Sequence, residues 1–215
     1  MKIGFYSGSF NPIHSGHISL ANYILNHTDL DEIWLVVSPH NPLKQKELLI
    51  DDDIRLQMTA LAVEDFPRLK VSDVEFSLPK PSYTIDTLDF LSKEYPNDEF
   101  VLIIGADNLD IFHLWKNYQE LLKNYRILVY PREGFKIQNS KFLTKPNGKA
   151  ECKIQSFSRK LGVEYIDAPL FNISSSEIRE KIKNKEDISA FLPPKVLTFI
   201  TQTLKSPEGD FKRAK

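Results

Sequence analysis

The stretch E99-F-V-L-I-I-G105 carries five apolar side chains in succession. A strand with one face in water alternates polar and apolar residues, whereas a run apolar at every position is covered on both faces. E32-I-W-L-V-V-S38 repeats the pattern, and outward from these two lie K2-I-G-F-Y-S7, K70-V-S-D-V-E-F76, Y125-R-I-L-V-Y130 and V163-E-Y-I-D167. Stretches of helical period separate them. Residues 16–26 place Leu20, Ala21, Ile24 and Leu25 on one face, and 51–64 open with an acidic N-cap cluster and bury Ile54, Met58, Leu61 and Ala62. Residues 82–94 and 175–183 read the same way, and a C-terminal helix is expected near 195–204. Parallel strands need helix-length crossovers, so this alternation predicts an α/β protein, a Rossmann-like doubly wound open parallel sheet of about six strands.

The chain has 215 residues, 41% hydrophobic and 27% charged, which suits a packed core and excludes disorder or fibre. No repeat or linker divides it, so residues 1–204 are expected to form one domain and 205–215 a polar tail. The polar stretch after Arg132 is expected to be a surface loop before a helix ending at Gly162. Lys and Arg number 28 against 29 Asp and Glu, a net charge of -1 that argues against a nucleic-acid polymer or an anionic membrane as partner. The single cysteine, Cys152, fits a reducing cytoplasm, and the start of the chain lacks the apolar core and cleavage site of a signal peptide. Glycine is scarce at 8 residues, yet Gly4, Gly8 and Gly16 fall within the first 16 positions, where unusual backbone angles or a close approach to the backbone are expected.

Ligands of such sheets bind beyond the carboxyl ends of the strands. After the first strand comes G8-S-F-N-P-I-H14-S-G-H17, running straight into a helix. It is neither a Walker A loop nor a G-x-G-x-x-G fingerprint. A helix N-terminus still offers backbone N–H groups and a partial positive charge to an anion, and His14 and His17, three apart, share a face. One such histidine would more often be a cap or a packed ring; two at this spacing beside scarce glycines favour an anion site. I173-S-S-S-E-I-R179 has the form of an ordinary capped helix start, but three hydroxyls and an arginine one turn in make it a second candidate anion site.

Together these two motifs resemble the nucleotidyltransferase superfamily that shares an H-x-G-H loop and an I-S-S-T-x-I-R helix. Within it the chain is similar to the bacterial nicotinate-nucleotide adenylyltransferases, through S38-P-H-N-P-L-K44, S82-Y-T-I-D-T-L88, I103-I-G-A-D107 and H113-L-W115, in order along the chain. Asn11 stands where the family commonly has Asp, and Ser176 where it commonly has Thr.

The resemblance implies transfer of AMP from ATP to nicotinate mononucleotide, with Mg²⁺ held mainly by phosphates and water rather than by protein ligands. The attacking phosphate is already an anion and needs no general base, so the protein's task is placement and charge dispersal. His14, His17 and Arg179 are then the expected catalytic groups, and Gly8, Ser9, Phe10, Ile173, Ser174, Ser175 and Ser176 complete the ATP site. Lys44, Thr84, Asp107, Trp115 and Arg132 are the expected acceptor-binding residues. For Trp115 alone core packing would be the better reading, and Lys44 alone reads as a solvated loop residue. His27 and His40 receive no role, and His113 is read as packing. A homo-oligomer is compatible with this reading. Its rivals are a phosphopantetheine-type adenylyltransferase, which lacks the Y-T-I-D-T-L and G-A-D…W pair, and a nucleotide sensor without turnover. A class I synthetase fragment would need a K-M-S-K-S stretch, which this chain does not have.

Overall fold

The structure, a computed structural model, describes residues 1–39, 50–135 and 162–205. Its strands are β1 (Lys2–Gly8), β2 (Glu32–Val37), β3 (Leu69–Ser72), β4 (Glu99–Gly105), β5 (Arg126–Tyr130) and β6 (Val163–Tyr165). They form a six-stranded parallel sheet in the order β3-β2-β1-β4-β5-β6, the doubly wound arrangement expected from the apolar runs. Lys2 pairs with Glu99 across β1 and β4, and Leu102 with Ile127 across β4 and β5. In β4 every residue from Phe100 to Gly105 is buried, as the unbroken apolar run requires.

The helices are α1 (Ser15–His27), α2 (Asp52–Val63), α3 (Val74–Ser77), α4 (Thr84–Glu94), α5 (Ala106–Asp110), α6 (Tyr118–Asn124), α7 (Ser175–Lys183) and α8 (Pro194–Lys205). Helix α1 buries the predicted Leu20, Ala21, Ile24 and Leu25. In α2, Met58 and Ala62 are buried as expected, but Ile54 and Leu61 are only half-buried, and Arg55, Thr59 and Val63 complete the inner face. The predicted strand 70–76 stops at Ser72, whose hydroxyl accepts from Val74 N–H, and Val74–Ser77 turns into the short α3. The apolar pattern there favours a strand, and a local Ser side-chain turn competes with it. Helix α8 packs on α2, and Lys195 reaches Glu64 at 3.0 Å and Asp65 at 2.7 Å. The expected helix before Gly162 and the tail from 206 onward lie outside the described residues.

The chain divides into two compact units. The first holds Met1–Tyr6, Tyr23–Ile33 and Tyr83–Leu170, and the second holds Ser7–Asn22, Trp34–Ser82 and Phe171–Lys215. The predicted triphosphate residues all fall in the second unit, and Thr84, Asp107, Trp115 and Arg132 in the first.

Candidate active site

In the second unit, β1 ends at Gly8 and α1 begins at Ser15, leaving a loop built around Phe10. Phe10 has φ 42° and is buried. A bulky side chain in the left-handed region costs about 1–3 kcal/mol and persists only where its surroundings over-determine it. Its ring is held edge-on to His17, with centroids 5.1 Å apart, and lies so close to Gly8 that a Cβ there would stand 3.0 Å from ring carbons. A Cβ on Gly16 would likewise meet His14 Nδ1 at 3.1 Å. Close approach to these glycines is therefore real, but what approaches is the Phe10 and His14 rings, and the unusual backbone angle falls on Phe10 itself.

His14 and His17 stack with centroids 3.7 Å apart, the shared face that their spacing implied. The His14 N–H donates to His17 Nδ1 at 3.2 Å, which places the His17 ring hydrogen on Nε2. His17 thus presents Nε2–H as a donor. Two backbone amides of the helix start are engaged internally: Ser15 N–H donates to the Phe191 carbonyl, and His17 N–H to that of His14.

Helix α7 brings the second motif to the same loop. Ser174 is its N-cap, accepting from Glu177 N–H at 3.1 Å. The Ser175 hydroxyl donates to the Pro12 carbonyl at 3.0 Å. Arg179 Nη1 donates to the Asn11 carbonyl at 2.7 Å, and its Nη2 to Ser176 Oγ at 3.0 Å. Half-burial lowers the Arg179 pKa by desolvation, against the nearby Glu180 charge; at any physiological pH it stays cationic. Of the three hydroxyls expected at an anion, one caps, one braces the loop and one orients the arginine. The Ile173 N–H donates to the Phe171 carbonyl at 2.8 Å.

Sequence reading missed Arg55. Its side chain is fully buried and donates through Nε to the Ile50 carbonyl at 2.9 Å, and through Nη1 to the Ser38 carbonyl at 2.9 Å and to that of Ser9. Asp52 pairs with its Nη2 at 2.5 Å. Burial lowers its pKa, with Asp52 opposing. The signal was present: Arg55 shares the 3–4 residue spacing of Met58, Thr59 and Ala62, which puts an arginine on an apolar stripe. Asn11 is also buried, and its Oδ1 accepts the Ile50 N–H at 3.0 Å.

In the first unit, Thr84 is the first residue of α4 and Asp107 lies in the first turn of α5, directly after β4. Arg132 Nε stands 3.6 Å from Asp107 Oδ1, and its guanidinium carbon 5.8 Å from the Tyr130 ring centre. Burial works against the Arg132 charge, but Tyr130 and Asp107 outweigh it and raise its pKa. Trp115 follows a 3-10 turn (Phe112–Leu114), its ring 5.1 Å from Phe112. Its Nε1–H is buried without a hydrogen-bond partner among the described residues. Lys116 anchors this turn to α4, bonding both Asp86 oxygens at 2.8 and 3.0 Å and lying 4.8 Å over the Tyr83 ring. His113 is exposed rather than packed, and His27 Nδ1–H donates to the Tyr23 carbonyl at 2.8 Å. Lys44 and His40 lie outside the described residues.

A doubly wound sheet whose first loop carries stacked histidines, tied to an arginine from a distant helix, defines a nucleotidyltransferase. A family model described as cytidylyltransferase-like matches residues 5–181. The chain is 47% identical over 200 residues to a protein of Flavobacterium psychrophilum named "probable nicotinate-nucleotide adenylyltransferase", covering 93% of this chain and 96% of the relative. A protein of the same name from Bacteroides fragilis is 46% identical over 205 residues, with 95% and 94% covered. Among solved structures, the nicotinic acid mononucleotide adenylyltransferase of Plasmodium falciparum complexed with NaAD superposes with a TM-score of 0.73 over 95% of this chain and 96% of that one. At 21% identity that likeness speaks for the fold. The chain belongs to the cytidylyltransferase-like family and, within it, to the nicotinate-nucleotide adenylyltransferases.

Proposed function

We propose that this enzyme joins ATP and nicotinate mononucleotide to form deamido-NAD and pyrophosphate, a step of NAD biosynthesis. A 5'-phosphate oxygen of the mononucleotide forms a bond to the α-phosphorus of ATP, and the bond from that phosphorus to the β-phosphate bridging oxygen breaks. The observation that carries this reading is the junction of the two motifs: Arg179 and Ser175 of α7 bond to Asn11 and Pro12 of the H-x-G-H loop, although the partners are 168 and 163 positions apart. The resulting cluster consists of donors, which is what in-line transfer between two anions requires.

In this reading His17 Nε2–H acts at the α-phosphate, with His14 beside it, and Arg179 holds the β- and γ-phosphates together with Ser174, Ser175 and Ser176. Gly8, Ser9, Phe10 and Ile173 line the adenosine side. Thr84, Asp107, Trp115, Arg132 and Lys44 bind the acceptor, Trp115 through its indole face and Arg132 with its charge shared with Asp107. Residues 1–204 act as one nucleotidyltransferase module in the cytoplasm. No helix among the described residues is long and apolar enough to cross a membrane.

A divalent cation, Mg²⁺, offsets phosphate charge when bound with ATP. Such a cation would be carried by phosphates and water, since Asn11 of the loop is neutral and its Oδ1 already accepts the Ile50 N–H at 3.0 Å. The test offers ATP·Mg with nicotinate mononucleotide, nicotinamide mononucleotide and phosphopantetheine in parallel and measures pyrophosphate release. Fastest release with nicotinate mononucleotide is expected; release only with phosphopantetheine, or with none, would overturn the reading.

A further inference from the structure

Arg55 has no part in the chemistry above, yet among the described residues it is the largest side chain that is fully enclosed. A buried guanidinium is an expensive group, kept only where its hydrogen bonds match its fork. Helix α2 does not need it to start, because Asp51 caps that helix by accepting from Asp53 N–H. What needs it is a convergence of three carbonyls, from Ser9 just past β1, Ser38 just past β2, and Ile50 ahead of α2. Ser38 N–H also donates to the Gly8 carbonyl at 2.9 Å, so the ends of β1 and β2 are joined beside the arginine.

We propose that Arg55 is the positioning residue of the triphosphate loop, holding the Ser9 carbonyl inward so that the strained Phe10 and the His14–His17 pair that follows keep their geometry. The peptide between Ser9 and Phe10 is planar and trans. Turning its carbonyl toward Arg55 turns the Phe10 N–H to the opposite side. Phe10 at φ 42° would relax toward ordinary angles if the preceding peptide could rotate. Its ring would then leave His17, against which it is seated edge-on. A lysine carries its three donors on one nitrogen, whereas the acceptors here are spread along the guanidinium, with Ile50 at Nε, Ser9 and Ser38 at Nη1 and Asp52 at Nη2.

The inference rests on the proposed reading that this loop takes the triphosphate. The test compares Arg55→Lys with Thr59→Ala, a control in the same helix whose buried hydroxyl donates to the Arg55 backbone carbonyl at 2.7 Å. For each variant the melting temperature, ATP affinity by calorimetry, and kcat and KM for both substrates are measured. Arg55→Lys is expected to weaken ATP binding at least tenfold and to lower kcat about a hundredfold, leaving the KM for the mononucleotide within threefold. Thr59→Ala, though destabilised, is expected to keep all kinetic constants within twofold. Arg55→Gln, which retains two N–H donors without a charge, serves the same comparison if the lysine variant does not fold. The assignment is overturned if the arginine variants and Thr59→Ala behave alike, if both substrates suffer equally, or if both arginine variants unfold where Thr59→Ala stays folded. A wild-type protein that binds ATP but makes no deamido-NAD would instead refute the functional reading, while the ATP-affinity comparison still judges Arg55.

Discussion

His17 shows how one ring is made into a directed donor. Its Nδ1 accepts from the His14 backbone, its face stacks on the His14 ring, and it lies T-shaped to Phe10, so tautomer and orientation are set by three contacts from two residues. A donor preorganised in this way acts most strongly where charge develops in the transition state. Replacing His17 by alanine is therefore expected to lower kcat by about two to three orders of magnitude, with ATP affinity changed less than tenfold. Equal losses in kcat and affinity, measured by steady-state kinetics and calorimetry, would contradict that role. The histidine pair was legible in the sequence because spacing alone places it on one helical face. Phe10 was legible as a residue of the ATP-site loop but its backbone angle was not, since a positive φ at phenylalanine is imposed by packing that no local pattern encodes. Arg55 was visible as a letter on an apolar stripe, but its partners at Ser9 and Ser38 are 46 and 17 positions away.

At the scale of elements, the strands were the most legible parts because burial on both faces leaves an unbroken apolar run. β4 matches the predicted 99–105 at both ends, and α7 matches 175–183. Gly4 marks how tightly β1 is covered: a Cβ there would stand 2.7 Å from Ile103 Cδ1, 2.8 Å from Ile33 Cγ1 and 3.0 Å from Leu30 Cδ1. Overpacking of this kind typically costs about 1–3 kcal/mol. Gly4→Ala should thus lower the unfolding free energy by an amount in that range, read as a fall in the urea midpoint, and an unchanged midpoint would show that the three side chains move aside freely. The misread element is the stretch 70–76, where alternation pointed to strand and the Ser72 turn ended it. Competition between a side chain and the sheet ladder is local, but its outcome depends on whether a neighbouring strand continues.

Across the molecule, distant segments are drawn together by polar links that the chain's order conceals. In the first unit, Asp29 receives Lys2 at 2.5 Å and Arg126 at 2.6 Å, and Arg126 also pairs with Glu164 at 2.8 Å. The Lys2 and Arg126 hydrogen bonds lower the Asp29 pKa from 3.8 to about 2. A depressed carboxylate pKa stabilises the fold above its unfolded value and loses that effect as pH falls through its folded value. Asp29→Asn should accordingly be less stable than the wild type at pH 7, by under about 1 kcal/mol because the site is half-exposed, with the gap closing between pH 4 and pH 2. A gap that persists at pH 2 would point to packing rather than charge. The apolar runs and helical periods by themselves determined the α/β sheet, and two short motifs determined the family and its chemistry, because burial and motif spacing are written in neighbouring residues. Only the tertiary structure decided that the Ser175 hydroxyl braces the loop, that Arg132 shares its charge with Asp107, and that the Arg55 guanidinium holds the Ser9 carbonyl. Those facts depend on contacts between residues far apart in the chain, whose meeting is set by packing of the whole and leaves no periodic trace.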